Sequence, residues 1–466
     1  MKHTLKIETT GDTCRIEYAG REVLRHTPRK PIVEIGAGKP RYRMSHGNFK
    51  ITPGLRARTP LTGCRVVSSE ETGARLEFAP QATAAAVVAL TLSVADTGLT
   101  VELRSLTDQS EYDRVFLRFP ARDREPIFGG GEQYSRLNLR GSRLPLWSSE
   151  QGVGRAHNLT TFLANRDSNA GGFWHSTYFP QPTFVGASGR FLHFESSAYT
   201  VADFSRPEED LIEVWQRELT FHIGVSEDML GAISTLSDIL GRQPRLPEWA
   251  DKGMWLGLQG GSETIRTKTA AAREAGIPVS ALWVQDWEGK RETAFGRQLF
   301  WDWTYSTAMY PDLPELLTEL KRDGTRFLGY INPFLAIEGE LYKEARDKGY
   351  CIKNPDGSDY LITVTTFPAA LIDLTNPAAR TWIKDVIKEH MLGVGLSGWM
   401  ADYGEYLPTD PVLHDGDARE FHNRYPAEWA RVNYEALVEA GALEDTAIFM
   451  RAGYTGSSGC THSIWA

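Results

Sequence analysis

Beyond Pro247 the sequence changes rhythm, and that change limits the fold more than any other feature. Short apolar runs begin at 254, 279, 326, 398 and 446, each of strand length. Between them lie helix-length amphipathic segments at 262–275, 313–323, 340–348, 377–392 and 427–440. Gly276, Pro278, Gly324 and Gly349 stand where helices should stop. Strands alternating with helices of this length imply a parallel sheet, most simply a (β/α)8 barrel of TIM type. Five strands are legible where closure needs eight, and the chain ends at Ser463-Ile464-Trp465-Ala466. The expectation is therefore an incomplete barrel in a C-terminally truncated chain. An open doubly wound sheet is the alternative, but no glycine-rich phosphate loop follows the first strand.

The preceding half reads differently. Runs such as Cys14-Arg15-Ile16-Glu17-Tyr18, Arg75-Leu76-Glu77-Phe78 and Leu99-Thr100-Val101-Glu102-Leu103 alternate polar with apolar residues between closely spaced turns. That period of two predicts an antiparallel β-sandwich over 1–240. A helix over 229–240 and the linker Gly241-Arg242-Gln243-Pro244-Arg245-Leu246-Pro247 separate it from a barrel domain over 246–466.

Composition narrows the function. A net charge of −9 lacks the basic face that nucleic acid or an anionic membrane surface requires. Neither an apolar leader nor a membrane-length apolar run is present in this sequence. Four scattered cysteines, with no CxxC and no histidine at ligand spacing, read as free thiols of a reducing compartment. These signs point to a cytoplasmic protein with no metal site, no cofactor, and no nucleic-acid or membrane partner. Homo-oligomerisation stays open.

The chemistry is concentrated in Gly398-Trp399-Met400-Ala401-Asp402-Tyr403-Gly404-Glu405-Tyr406. A buried strand here would deliver Asp402 to the C-terminal edge of the sheet, the face on which barrel enzymes build their sites. Aromatic rings around a carboxylate make a sugar platform, and a fixed anion there can stabilise an oxocarbenium-like centre. Read alone, Asp402 could equally cap the next helix or pair with an arginine.

Longer motifs decide between these. Gly130-Gly131-Glu132-Gln133, the segment from Leu146 to Arg155, Leu258-Gln259-Gly260-Gly261, Trp283-Val284-Gln285-Asp286-Trp287, the run from Trp399 to Asp410, and Phe449-Met450-Arg451-Ala452-Gly453 occur in this order. Together they resemble glycoside hydrolase family 31, in its bacterial sulfoquinovosidase branch. These are retaining α-glycosidases that release sulfoquinovose, a glucose bearing a sulfonate at C6. The resemblance implies a sandwich followed by a catalytic barrel, with Asp402 as nucleophile and Glu405 supporting its loop. A second aspartate, the acid/base, would follow a Trp-Ala-Gly run and so fall two residues past Ala466, outside this chain.

The resemblance also implies substrate contacts. Arg451 would bind sugar hydroxyls, its alternative being an ion pair in the barrel mouth. Glu132 would help close the sugar subsite or serve as a turn carboxylate. Asp286 would hold a hydroxyl or cap a turn. For the sulfonate, Gln259, Gln285 and Trp301 match three pocket positions, while the family's arginine falls on Gln298. Arg297 is one residue earlier, pointing to the other side of an extended chain or simply exposed. An Arg-to-Gln exchange loses a charge and a donor fork. A neutral-sugar α-glucosidase and a non-catalytic sugar-binding fragment therefore remain the competing readings.

Overall fold

The computed structural model describes residues 4–107, 112–294, 296–364 and 366–465. The chain divides into two compact units, Met1–Gly241 and Arg242–Ala466.

In the first unit the alternating runs become two antiparallel sheets. The eight-stranded sheet runs spatially from Ile127–Gly131 through Leu219–Val225 and Gly98–Ser105 to Gly63–Glu70. The six-stranded sheet centres on Arg114–Pro120 paired with Glu209–Val214 and Val33–Gly38. The buried residues of Gly73–Ala79 alternate with half-exposed ones, as one covered face demands. Phe119 of the smaller sheet meets Phe194 and Phe221 of the larger one edge-on, at 6.0 and 5.8 Å between centroids, so the two layers share one apolar core. The helix Met229–Leu240 is capped by Asp228, whose carboxylate accepts the Gly231 N–H, and it buries Ala232 and Leu236.

In the second unit the strands β1 (Met254–Gly257), β2 (Val279–Trp283), β3 (Arg326–Ile331), β4 (Gly398–Ala401), β5 (Ala447–Met450) and β6 (Ser463–Ile464) line up in chain order. All neighbouring pairs are parallel. The sequence reading counted five strands, and β6 corrects it to six among the described residues. A strand of only two residues carries no periodic signal. Helices return the chain between strands, each built on local rules. Pro377 opens Pro377–Val386 and Asn376 caps it, accepting the Ala378 and Ala379 N–H groups. That helix passes directly into a wider π-helical turn over Ile387–Leu392. Leu313–Arg322 buries Leu313, Leu316, Leu317 and Leu320 on one face.

Two excursions interrupt this pattern, and neither was anticipated from sequence. After β2 come a 3-10 turn, Gln285–Glu288, and a hairpin of Lys290–Thr293 with Gly296–Leu299. After β3 comes a small antiparallel sheet of Phe334–Ala336, Pro368–Leu371 and Leu361–Thr363. Both leave the C-terminal ends of barrel strands. No helix among the described residues is long and apolar enough to cross a membrane.

Candidate active site

All four residues of β4 are buried, and the strand delivers Asp402 to its C-terminal end. There the Asp402 N–H donates to the Ile331 carbonyl of β3 at 2.8 Å, continuing the ladder by one bond. The side chain is 7% exposed. The Tyr330 hydroxyl donates to Oδ2 at 2.6 Å, and Asn332 Nδ2 donates to the same hydroxyl at 3.2 Å. Burial, reinforced by the Asp402 charge, drives the Tyr330 phenol well above its ordinary pKa, so it stays a donor.

Arg451, directly after β5, sets its Nε 3.2 Å from Asp402 Oδ1. Its Nη2 donates to Glu405 Oε1, and its guanidinium lies 4.2 Å above the Tyr403 ring. One arginine thus joins both carboxylates of the motif, and the completely buried Glu405 is held by it. The loop between them needs an unusual backbone. Tyr403 has φ 59° and Gly404 φ 128°, and a Cβ on Gly404 would come 2.8 Å from Pro426. A side chain at Gly404 would push Asp402 and Glu405 off their shared partner.

Beside Asp402 lies a cavity of about 290 Å³, lined by Gln259, Gln285, Lys290, Arg297, Gln298, Leu299, Trp301, Tyr330, Phe367 and Tyr403. Tyr330 belongs both to this wall and to the Asp402 cluster. Gln259 Nε2 donates to Gln285 Oε1 at 2.9 Å, engaging one of Gln259's amide hydrogens and neither of Gln285's. Trp301 has φ 67°, rare for a large residue. Its backbone is clamped from below, because Glu288 accepts the Phe300 and Trp301 N–H groups at 3.2 and 3.0 Å. Burial pushes Glu288 well above the usual carboxylate range, against the pull of those N–H donors. The Trp301 ring sits among Phe334, Phe367 and Tyr403. It is 5% exposed, and its Nε1 has no hydrogen-bond partner among the described residues.

The structure therefore brings Gln259, Gln285, Gln298, Arg297 and Trp301 to one cavity, with Asp402, Glu405 and Arg451 as a cluster adjoining it through Tyr330. Gln298 Oε1 accepts from Thr366 Oγ1 at 3.4 Å. Arg297 pairs with Glu292 at 2.8 Å on the open side of the hairpin, both side chains 74% exposed. Asp286 is not in the wall. It is fully buried, accepting Tyr310 Oη at 2.6 Å and the Gly260 N–H at 2.9 Å, with Lys290 Nζ at 2.9 Å. Glu132 lies in the first unit, where Tyr134 donates to it at 2.6 Å and burial raises its pKa.

Sequence reasoning missed Lys290, Tyr330, Phe367, Tyr403 and Glu288. The phenol of Tyr330 was hidden in a run read simply as a buried strand. Lys290 follows the legible Trp283–Trp287 motif closely, so its nearness to Gln285 was the available signal.

Residues 243–466 match the family described as glycosyl hydrolases family 31 TIM-barrel domain. The chain is 40% identical to the sulfoquinovosidase of Escherichia coli K12 over 458 residues, which are 98% of this chain and 67% of that one. The chain belongs to glycoside hydrolase family 31. A second family 31 relative, the sulfoquinovosidase of Agrobacterium fabrum, is 39% identical over 464 residues, 99% of this chain and 68% of the relative. Among solved family 31 structures, a sulfoquinovosidase from E. rectale, complexed with an aza-sugar inhibitor, superposes with a TM-score of 0.94 at 38% identity. It is matched over 99% of this chain and 68% of its own. The chain thus spans about two thirds of the length of these relatives. As a family 31 member it is an O-glycosyl hydrolase.

Proposed function

We propose that this protein is a retaining sulfoquinovosidase, cleaving α-glycosides of sulfoquinovose in the cytoplasm. The first unit would be the family's β-sandwich domain and the second its catalytic barrel. The observation that carries the reading is the cluster of Asp402, Tyr330 and Arg451 adjoining a cavity walled by amides, an indole and two cations.

In this reading Asp402 Oδ1 attacks the anomeric carbon as the glycosidic C–O bond breaks, and the aglycone oxygen takes a proton from a separate carboxylic acid. Water then cleaves the glycosyl-enzyme ester and regenerates Asp402. Tyr330 and Arg451 hold the carboxylate in line, through a hydrogen bond at 2.6 Å and an ion pair at 3.2 Å. Glu405 is committed to Arg451, which supports a positioning role and not proton donation. With its guanidinium shared between two carboxylates, Arg451 orients the nucleophile before it contacts any sugar hydroxyl. Gln259, Gln285 and the unpartnered Trp301 N–H offer donors to a sulfonate. Asp286, with its oxygens already taken, supports the turn that carries Gln285.

A second reading, hydrolysis of neutral α-glucosides, has Gln298 in its favour, because the wall lacks an arginine there. Measuring kcat/KM of the full-length protein for 4-nitrophenyl α-sulfoquinovoside and 4-nitrophenyl α-glucoside separates the two. The sulfonated substrate is expected to be preferred by at least roughly tenfold, the value of one charge-assisted contact. A preference for the glucoside would give the second reading precedence.

A further inference from the structure

A sulfonate is ionised at every pH at which proteins fold, and bringing it out of water beside neutral donors alone is costly. Gln259, Gln285, Gln298 and the Trp301 indole are all neutral. Two cations line the cavity, and they differ sharply. Arg297 is 74% exposed and its charge is met by an equally exposed Glu292 across the hairpin. Solvent and partner together leave little field from it inside the cavity. Lys290 is only 22% exposed and stands at the base of the same hairpin, in register with Leu299 and two positions from Trp301.

We infer that Lys290 is the cation that receives the substrate's anionic group, supplying the charge that Gln298 cannot; this rests on the sulfoquinovoside reading above. Its one charged partner among the described residues is Asp286 Oδ2, an ion pair at 2.9 Å, which leaves ammonium hydrogens for a ligand. Asp286 is itself held by hydrogen bonds from Tyr310 and the Gly260 N–H, so the carboxylate does not depend on its Lys290 ion pair alone. The pair therefore fixes the direction of the ammonium without exhausting it. Lys290, the Gln285 amide and the Trp301 N–H then offer one charged and two neutral donors to three sulfonate oxygens. Because that contact persists from ground state to transition state, Lys290 acts on specificity through KM more than through kcat.

The test is Lys290→Gln and Lys290→Arg in the full-length protein, assayed on the two aryl glycosides named above. Lys290→Gln should lower the ratio of sulfonated to neutral kcat/KM by roughly 10- to 100-fold, mostly through KM, as expected for losing a charged hydrogen bond. Lys290→Arg should recover most of that ratio, since charge returns with a different shape. If Lys290→Gln leaves Asp286 unpaired and fails to fold, the neutral pair Lys290→Gln/Asp286→Asn carries the same readout. A fall of equal size on both substrates would mean that Lys290 only braces Asp286, and would overturn the inference. An unchanged ratio would overturn it too, with the sulfoquinovosidase reading intact if the wild type prefers the sulfonated substrate. A wild type without that preference would remove both.

Discussion

Two buried aspartates near the strand ends of the barrel are built from the same parts. Asp402 has Tyr330 at 2.6 Å and Arg451 at 3.2 Å, while Asp286 has Tyr310 at 2.6 Å and Lys290 at 2.9 Å. They differ in what is left over. Asp286 also takes the Gly260 N–H, and its side chain is wholly buried. Asp402 keeps Oδ1 without a hydrogen bond among the described residues, its arginine facing it at ion-pair distance only, and retains some exposure. A carboxylate whose acceptors are all used is a scaffold, whereas one held firmly by one oxygen and loosely by the other has a lone pair to give. Composition and burial alone would not separate the two. The count of committed acceptors does.

Substitution tests that contrast directly. The largest effect is expected from Asp402→Asn in the full-length protein, which should lower kcat by roughly 10⁴-fold or more while leaving the melting temperature within a few degrees. A 2-fluoro-glycoside should give a covalent adduct in wild type, seen by intact mass. An adduct surviving in Asp402→Asn would break the comparison, because the nucleophile would lie elsewhere. Asp286→Asn should do the reverse. It breaks a buried pair and strands Lys290, costing about 3 kcal/mol, or roughly 6–12 °C in melting temperature. Its folded fraction should still form the adduct. Equal stability in the two variants would show that acceptor count does not distinguish them. The smallest effect concerns Gln298→Arg, which adds a third cation to the lining of the cavity. Selectivity for the sulfonated over the neutral aryl glycoside should rise roughly tenfold. An unmoved selectivity would mean that position 298 does not face the anion.

The sequence carried the barrel strands well where apolar runs were long. The run from Gly398 into Asp402 could be read because four buried residues precede a carboxylate between aromatics. Ser463–Ile464 could not, because two residues have no period. The excursions between strands were illegible for a related reason. The hairpin strands Lys290–Thr293 and Gly296–Leu299 are polar and half-exposed, so pairing between them, and not hydrophobic pattern, gives them form. Gln259, Gln285 and Trp301 were found by motif, which gives identity without orientation. Lys290 was missed because its meaning lies in its distance to Asp286, and Tyr330 because alternate residues of a doubly covered strand look alike in sequence. The sharing of Arg451 between Asp402 and Glu405 depends on the turn at Gly404, a matter of backbone angles.

The order of neighbours in the two units carries a consequence for how each is made. In the barrel every strand lies beside the one synthesised just before it, from β1 through β6. A strand leaving the ribosome finds its template already in place, so this sheet can grow at one edge while translation continues. The first unit cannot. Thr100 pairs with His222, 122 residues away, so the centre of its larger sheet stays open until nearly the whole unit has emerged. The nascent amino-terminal half thus spends the longer time with an unsatisfied strand edge, and it is there that a chaperone would have most to hold.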